Sequence, residues 1–163
     1  MRSVLFVTLL LACAGRPAPA PAPATEYAEL ERAVVRLVNV HRKERGLRAL
    51  VSDTSLARIA RGHSLDMARR EVPFGHAGFD ARVHETERVF DFTEIAENVA
   101  LNNYQRDRTV RVAVDGWLSS PHHLQNIEGR FNVTGVGVVR GSNGTFYYTQ
   151  LFLAYRPVTD RHP

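Results

Sequence analysis

The chain has 163 residues, of which 44% are hydrophobic and 23% are charged, as is typical of a soluble globular protein. Its formal net charge of +4 is carried almost entirely by arginines interleaved with acidic residues, and Lys43 is the single lysine. Because these charges form no continuous basic stripe, the composition argues against nucleic-acid binding. We expect one compact domain of about 140 residues, and we expect it to be monomeric.

The first residues have the pattern of an export signal. Arg2 precedes the apolar run Val4 to Leu11, which is too short to span a bilayer. Cys13, the only cysteine of the chain, follows this run, and Leu10-Leu11-Ala12-Cys13 resembles a bacterial lipobox, in which the cysteine is acylated. We predict a signal peptide over residues 1–13 and a cell-envelope lipoprotein held at the membrane through Cys13. Ordinary cleavage before Gly15, giving a secreted soluble protein, is the alternative.

A Pro/Ala linker follows at residues 14–24. Arg16 to Ala24 alternates proline and alanine after its first residue, a composition that favours extended polyproline II. We therefore place a folded domain at residues 25–157 and a short tail at 158–163. Since the exported chain has no pair of cysteines, its fold must be held by packing alone.

Apolar residues at helical spacing predict the helices. Leu30, Val34 and Val38 lie on one face of a first helix, and Asp53 has the position of an N-cap for a second. The predicted helices in chain order are Thr25–Arg45, ended by Gly46; a helix after Asp53; Ala81–Phe90; and a helix containing Val110 and Trp117 that ends at Ser119-Ser120-Pro121.

The last third of the chain has the pattern of strands. Val133–Arg140 and Thr145–Ala154 are joined by Gly141-Ser142-Asn143-Gly144, a strong hairpin signal, and Ile95–Leu101 is a short strand or a turn into one. The second hairpin strand is apolar on both faces, so helices must cover both faces of the sheet. We predict an α+β fold, a three-layer α-β-α sandwich with a central, mainly antiparallel sheet.

Three residues far apart in sequence carry chemistry of one kind: His76, Glu97 and His123. Two imidazoles and a carboxylate are groups that a divalent metal or an activated water requires. Two histidines are one protein ligand short of the usual catalytic zinc site, so zinc or another divalent cation would be held weakly. The alternatives are a hydrogen-bond network that organises the fold and true catalysis with Glu97 as base.

Five short motifs occur in a set order along the domain. They are Phe74-Gly-His76, Ala96-Glu-Asn98, Trp117-x-x-Ser120-Pro-x-His123-x-x-Asn126-Ile127, Gly135-Val-Gly137 and Tyr148-Thr-Gln150-x-Phe152. Together they resemble the CAP superfamily (cysteine-rich secretory proteins, antigen 5 and plant pathogenesis-related 1; the SCP domain) in its bacterial, disulfide-free form. The resemblance implies an α-β-α sandwich whose surface cleft holds a His–Glu–Glu–His tetrad.

Carried over residue by residue, the resemblance assigns His76 as the first histidine, Glu97 as the first glutamate and His123 as the second histidine. Ser120 stands where the second glutamate would lie, which removes one acid from a mechanism that needs two carboxylates. The remaining cleft and supporting residues are Asn98, expected to fix the direction of Glu97 from a turn, and His122, Ser120 and Gln150.

Other polar residues have simpler interpretations. His63 lies on the apolar face of its helix and is predicted to be a hydrogen-bonded core histidine. Trp117 is predicted to be a core residue, and Asn126 to pin the segment after His123. The serines near Pro121 lack the Gly-x-Ser-x-Gly pattern of a nucleophile.

The sequence therefore predicts a binding module whose His/Glu cleft takes a small hydrophobic or envelope-derived ligand, with lipids and sterols implied by the resemblance. The alternative is a metal-assisted hydrolase of peptide or cell-wall bonds, with His76 and His123 as metal ligands and Glu97 as base. A structural role in the envelope is a third hypothesis. The sequence leaves open whether the protein is an enzyme.

Overall fold

The structure, a computed structural model, describes residues 26–156, which form five helices and four strands. The predicted signal peptide, the Pro/Ala linker and the tail at 158–163 lie outside these residues. The elements in chain order are α1 (Ala28–Glu44), β1 (Val51–Ser52), α2 (Thr54–Arg69), α3 (Phe79–Glu87), β2 (Phe92–Asn102), α4 (Thr109–Leu118), α5 (Pro121–Glu128), β3 (Val133–Arg140) and β4 (Phe146–Tyr155). Among residues 26–156, none of the helices is both long and apolar enough to cross a bilayer.

The four strands form one mixed sheet in the order β1-β3-β4-β2. β1 pairs with β3 in parallel, whereas β3 with β4 and β4 with β2 are antiparallel. β4 is central and buried on both faces, as its sequence predicts: Tyr148 and Phe152 contact one apolar cluster and Leu151 and Leu153 another. The prediction of a mainly antiparallel central sheet is confirmed.

Helices cover both faces of the sheet, so the three-layer sandwich is confirmed. On one face α1, α4 and α5 contribute a cluster that includes Val34, Val114 and Ile127, each 1% exposed or less. On the other face α2 packs Leu56 and Ile59 against β4. β2 is an edge strand of this sheet, and, as in any β-strand, its successive side chains point alternately into the two layers.

α2 lies unusually close to β3. A Cβ atom at Gly137 would overlap the backbone of Ala60 and Arg61, so only glycine fits there. The hydroxyl of Ser64 donates to the carbonyl of Gly137 at 3.0 Å and fixes the contact.

Some of the predicted helix and strand boundaries agree with the structure and others differ. The Asp53 cap is confirmed, since its Oδ1 accepts from the amides of Ser55 and Leu56 at 2.8 and 2.9 Å. Pro121 does end α4, but it also occupies the first turn of α5, which was not predicted. The third predicted helix, Ala81–Phe90, is displaced: α3 runs from Phe79 to Glu87. β2 is an eleven-residue strand, longer than Ile95–Leu101, and the two-residue β1 was missed.

Candidate functional site

Glu97 lies in the middle of β2 and is the centre of a polar network. It pairs in register with Leu151 of β4, and its side chain therefore points into the α2–α3 layer. The side chain is only 2% exposed. A carboxylate this deeply buried requires charged or hydrogen-bonding partners.

Arg82 of α3 supplies the charged partner. Its Nε donates to Oε2 of Glu97 at 2.7 Å, and its Nη2 donates to Oε1 at 2.8 Å. This bidentate geometry fixes the plane of the carboxylate. Arg82 was not identified from the sequence, because an arginine on a short helix is ordinarily solvated. The one feature of the sequence that could have indicated it is that Glu97, if buried, needs a cationic partner.

His76 reaches the same carboxylate from the loop between α2 and α3. Its Nδ1 donates to Oε1 of Glu97 at 2.9 Å, while the side chain remains 53% exposed. The neutral ring consequently carries its proton on Nδ1, and Nε2 is its acceptor nitrogen. Gly75, with φ of 137°, supplies a backbone conformation that other residues rarely adopt. The loop thus presents His76 over Glu97.

His63 connects the network to α2. Its Nε2 donates to the carbonyl of Gly75 at 2.8 Å, and its Nδ1 accepts from Nη1 of Arg82 at 3.1 Å. Burial lowers the pKa of His63, which favours the neutral ring that this pattern requires. The residue is 3% exposed, so the predicted hydrogen-bonded core histidine is confirmed. Its contact with the site was not foreseen.

The opposite side of β2 is held by two asparagines. Asn98 donates from Nδ2 to the carbonyl of His123 at 3.1 Å, and Asn126 donates to Oδ1 of Asn98 at 2.9 Å and to the carbonyl of Glu97 at 3.2 Å. The expectation that Asn98 acts from a turn is wrong, because it lies within a strand and faces away from the Glu97 side chain. Asn126 pins α5 to β2, as predicted.

His123 lies on α5, beyond the free edge of β2. Its Nδ1 is buried and has no hydrogen-bond partner among residues 26–156. Burial lowers the pKa of His123, and the nearby His76 and His122 lower it further when they are charged. α5 places His123 beside β2, where the backbone carbonyl of His123 accepts from Nδ2 of Asn98.

The remaining predicted residues have different positions. Ser120 is the N-cap residue of α5 but makes no side-chain capping bond, and His122 is exposed on the same helix. Gln150 is fully buried in β4, where its Nε2 donates to Oγ1 of Thr134 at 3.0 Å. Gln150 pairs in register with Asn98, so it lies on the strand next to the one that carries Glu97.

The donor set fits a tightly held metal ion poorly. Within residues 26–156, no group of three or more histidine, cysteine, aspartate or glutamate side chains is arranged to hold one ion. Both oxygens of Glu97 accept from Arg82, whose positive charge also opposes a dication nearby. His76 and His123 would be the ligands, with Glu97 orienting His76 from behind.

A hollow of about 250 Å³ reaches the network from the α2–α3 side. Its lining combines His63 and Arg82 of the network with Ile59, Val72, Ala77 and Ala81, and with the acidic Asp66 and Glu85. Its size suits a small group rather than a drug-sized molecule.

Comparison with known proteins identifies one family. The model of the cysteine-rich secretory protein family, CAP, matches residues 35–152. The chain belongs to this family. This CAP chain is similar to a Bacillus subtilis strain 168 protein named uncharacterized membrane protein YlbC, with 33% identity over 127 residues. The aligned region covers 76% of the chain and 34% of YlbC.

Solved structures agree with the CAP fold. One is an extracellular protein containing an SCP domain from Bacillus anthracis strain Ames, 28% identical, with a TM-score of 0.64, covering 77% of the chain and 40% of that protein. Another is an outer surface protein of Borrelia burgdorferi, 18% identical, with a TM-score of 0.65, covering 80% of the chain and 96% of that protein, and it shows the fold alone. The chain spans less than half the length of the two Bacillus proteins.

Proposed function

We propose that this protein is an exported, membrane-tethered, monomeric CAP protein whose His/Glu cleft binds a small hydrophobic or envelope-derived ligand. The observation that carries the proposal is the contact of Arg82 with both oxygens of Glu97. It makes the carboxylate a fixed support that turns Nε2 of His76 outward. Nε2 of His76 is then an exposed hydrogen-bonding group, and a small, partly apolar hollow lined by His63 and Arg82 reaches the same network.

Glu97 is the only acid among His76, Glu97 and His123, and its hydrogen bonds favour ligand binding over catalysis. A general base must come within hydrogen-bond reach of the proton that it removes. The oxygens of Glu97 already accept hydrogen bonds from Arg82 and His76, and the side chain is 2% exposed. Moving Glu97 toward a water would break contacts that a buried carboxylate needs.

Export and tethering rest on the sequence around Cys13 and on the relatives. One relative is named a membrane protein, and one structural neighbour is named an extracellular protein. Mass spectrometry of membrane-extracted protein should find a diacylglycerol adduct that Cys13→Ala abolishes. A soluble form that begins at Gly15 would contradict the lipid anchor.

The ligand can be sought without assuming its identity. Protein purified from its native envelope would be denatured and its released small molecules analysed by mass spectrometry, for wild type and for a His76→Ala/His123→Ala variant. We expect one molecule to be retained by wild type and lost from the variant. His84→Ala, which removes an exposed histidine outside the network, is the matched control. Identical small-molecule profiles for all three proteins would contradict a ligand in this cleft.

A metal-assisted hydrolase is the second candidate, favoured by one observation. A histidine whose Nδ1–H donates to a buried carboxylate and whose Nε2 faces outward, as in His76, has the arrangement of a metal ligand. We propose that any divalent ion binds weakly, since two imidazoles are one ligand short. Calorimetric zinc titration with His76→Ala and His123→Ala tests the site, and release of peptides or glycans from cell wall, abolished by Glu97→Gln, tests the activity.

A further inference from the structure

One end of the sandwich carries a cluster of arginines stacked on aromatic rings. Of the four such pairs described, three lie here: Arg106 over Tyr27 at 5.7 Å, Arg108 over Tyr104 at 5.6 Å and Arg140 over Phe146 at 5.3 Å. These six residues are called the arginine–aromatic end below.

The cluster is continuous because the sheet joins its parts. Phe146 begins β4 and pairs in register with Asn102, the last residue of β2, and with Arg140, the last residue of β3. Tyr27 contacts Phe146 edge to face at 6.2 Å, and the amide of Tyr104 donates to Oδ1 of Asn102 at 3.3 Å. All three pairs therefore occupy one end of the molecule.

The groups on this surface are those that favour a membrane interface. Arg106, Arg108 and Arg140 are exposed, and the ring of Tyr104 is 46% exposed beside Leu101 at 43%. Arginine attracts anionic headgroups, and amphipathic aromatic rings prefer the boundary between water and lipid. Two acidic residues adjoin these three arginines: Asp107 lies between Arg106 and Arg108 in sequence, and the carbonyl of Glu26 accepts from Arg106. The arginines therefore outnumber the adjoining acids.

The chain enters the domain at this same end. Nη2 of Arg106 donates to the carbonyl of Glu26, the first described residue, at 3.0 Å. Twelve residues separate Cys13 from Glu26. At about 3.1 Å per residue, a polyproline II linker of this length spans at most about 40 Å. If the chain is anchored at Cys13, the arginine–aromatic end is therefore the part of the domain that the linker keeps near the bilayer.

We propose that the arginine–aromatic end docks on the anionic surface of the membrane to which the protein is tethered. The direction of the tether rests on the proposed function, whereas the surface itself does not. Docking would also fix the orientation of the cleft. β2 runs toward the arginine–aromatic end, and Glu97 lies five residues before Asn102 at the end of this strand. At about 3.3 Å per residue, Glu97 would stand about 17 Å above the docked surface. The cleft would then open sideways, next to the headgroup layer.

Vesicle binding by the chain from Ala14 to Pro163 tests the proposal without the lipid anchor. Every element of the sandwich lies within residues 26–156, so this chain keeps the complete fold. We expect it to float with vesicles containing about a third phosphatidylglycerol and not with phosphatidylcholine alone, and to be released by high salt. The triple variant R106Q/R108Q/R140Q should lose vesicle affinity by roughly tenfold or more.

The matched control is R48Q/R130Q/R156Q, which removes the same charge from exposed arginines near the start of β2, at the other end of the sheet. It should retain affinity to within about twofold, since only its net charge has changed. Equal losses in the two variants, or no binding to anionic vesicles, would overturn the proposal. Tighter binding to a DNA duplex than to the vesicles, lost in the first variant, would assign the surface to nucleic acid instead.

A second measurement covers the case in which the first variant folds poorly. Lipids that carry a paramagnetic headgroup should broaden the wild-type amide signals of Tyr104 and Arg140 and leave those of Arg130 sharp. Uniform broadening, or broadening confined to Arg130, would contradict the proposed orientation. Because Cys13 is absent from this chain, failure of either test leaves the lipid anchor and the cleft ligand to be judged by their own experiments.

Discussion

Arg82 and Glu97 are joined by two hydrogen bonds, Nε to Oε2 at 2.7 Å and Nη2 to Oε1 at 2.8 Å. The pair connects α3 to the edge strand β2, and Arg82 continues the connection to His63 of α2. Glu97 in turn holds His76. A single buried ion pair therefore organises the candidate site, and its energetics give the first prediction.

Removing one member of the Arg82–Glu97 pair should be strongly destabilising. Arg82→Met leaves a carboxylate that is 2% exposed without its cation, so we expect the free energy of unfolding to fall by about 3 kcal/mol or more. Urea denaturation gives this value. The double variant Arg82→Met/Glu97→Gln should be less destabilised than the sum of the two single changes. Additive effects would show that the two side chains do not depend on each other.

The stability of the fold should decrease below neutral pH through His63. Burial lowers the pKa of His63 in the folded protein, whereas in the unfolded chain it is about 6.5. Between these values the folded state binds fewer protons than the unfolded state, so the free energy of unfolding rises with pH. Stability should be fully present above about pH 6.5 and be lost as the pH falls toward the folded pKa.

Urea denaturation between about pH 7.5 and 5.5 measures this dependence, above the range in which carboxylates titrate. His63→Gln should flatten the slope, and the exposed His84→Gln should not. Some slope should remain in His63→Gln, because burial also lowers the pKa of His123. An unchanged slope in His63→Gln would contradict a neutral His63 in the folded state.

The contact of α2 with β3 should tolerate no side chain at Gly137. Gly137→Ala places a methyl group against the backbone of Ala60 and Arg61, and we expect a loss of about 3 kcal/mol or failure to fold. Gly116→Ala is the control, since no atom of residues 26–156 outside the adjoining turns of α4 lies within 4 Å of its added methyl group. It should be neutral or stabilise the helix by about 0.5–1 kcal/mol. Thermal unfolding of the two variants distinguishes them.

Asn126 should protect the free edge of β2. Asn126→Ala removes the donors to the carbonyl of Glu97 and to Asn98, so we expect a loss of about 1–3 kcal/mol. Amide hydrogen exchange in β2 should accelerate around Val99, whose carbonyl is held by Trp117 on the same edge. The neighbouring change Gln125→Ala, at an exposed position of α5, should leave exchange in β2 unaltered. Equal exchange rates in both variants would contradict this role.

Periodicity predicted the sandwich because its layers depend on which faces are apolar. β4 is apolar on both faces, which alone requires helices on both sides of the sheet. Asp53 marked the start of α2 because an N-cap depends only on residues next to it in sequence. Pro121 was ambiguous because proline both ends one helix and begins the next, so α5 was missed.

The site was predicted in part. His76, Glu97 and His123 were selected by residue type and motif, and a hydrogen bond joins His76 to Glu97 in the structure. Arg82 was missed because its role depends on burial that arises only when α3 packs over β2. Asn98 was expected to act from a turn because the sequence left Ile95–Leu101 open between a strand and a turn. In the strand, Asn98 points to the opposite face from its neighbour Glu97.

The central claim is that Glu97, fixed by Arg82, orients His76 with Nε2 outward. Long-range ¹H–¹⁵N correlation spectra of the histidine rings, recorded at about pH 8 where free imidazole is neutral, measure this directly. We predict that His76 carries its proton on Nδ1 in the wild-type protein and that Glu97→Gln shifts this tautomer balance. A wild-type His76 protonated mainly on Nε2, with no response to Glu97→Gln, would contradict the account.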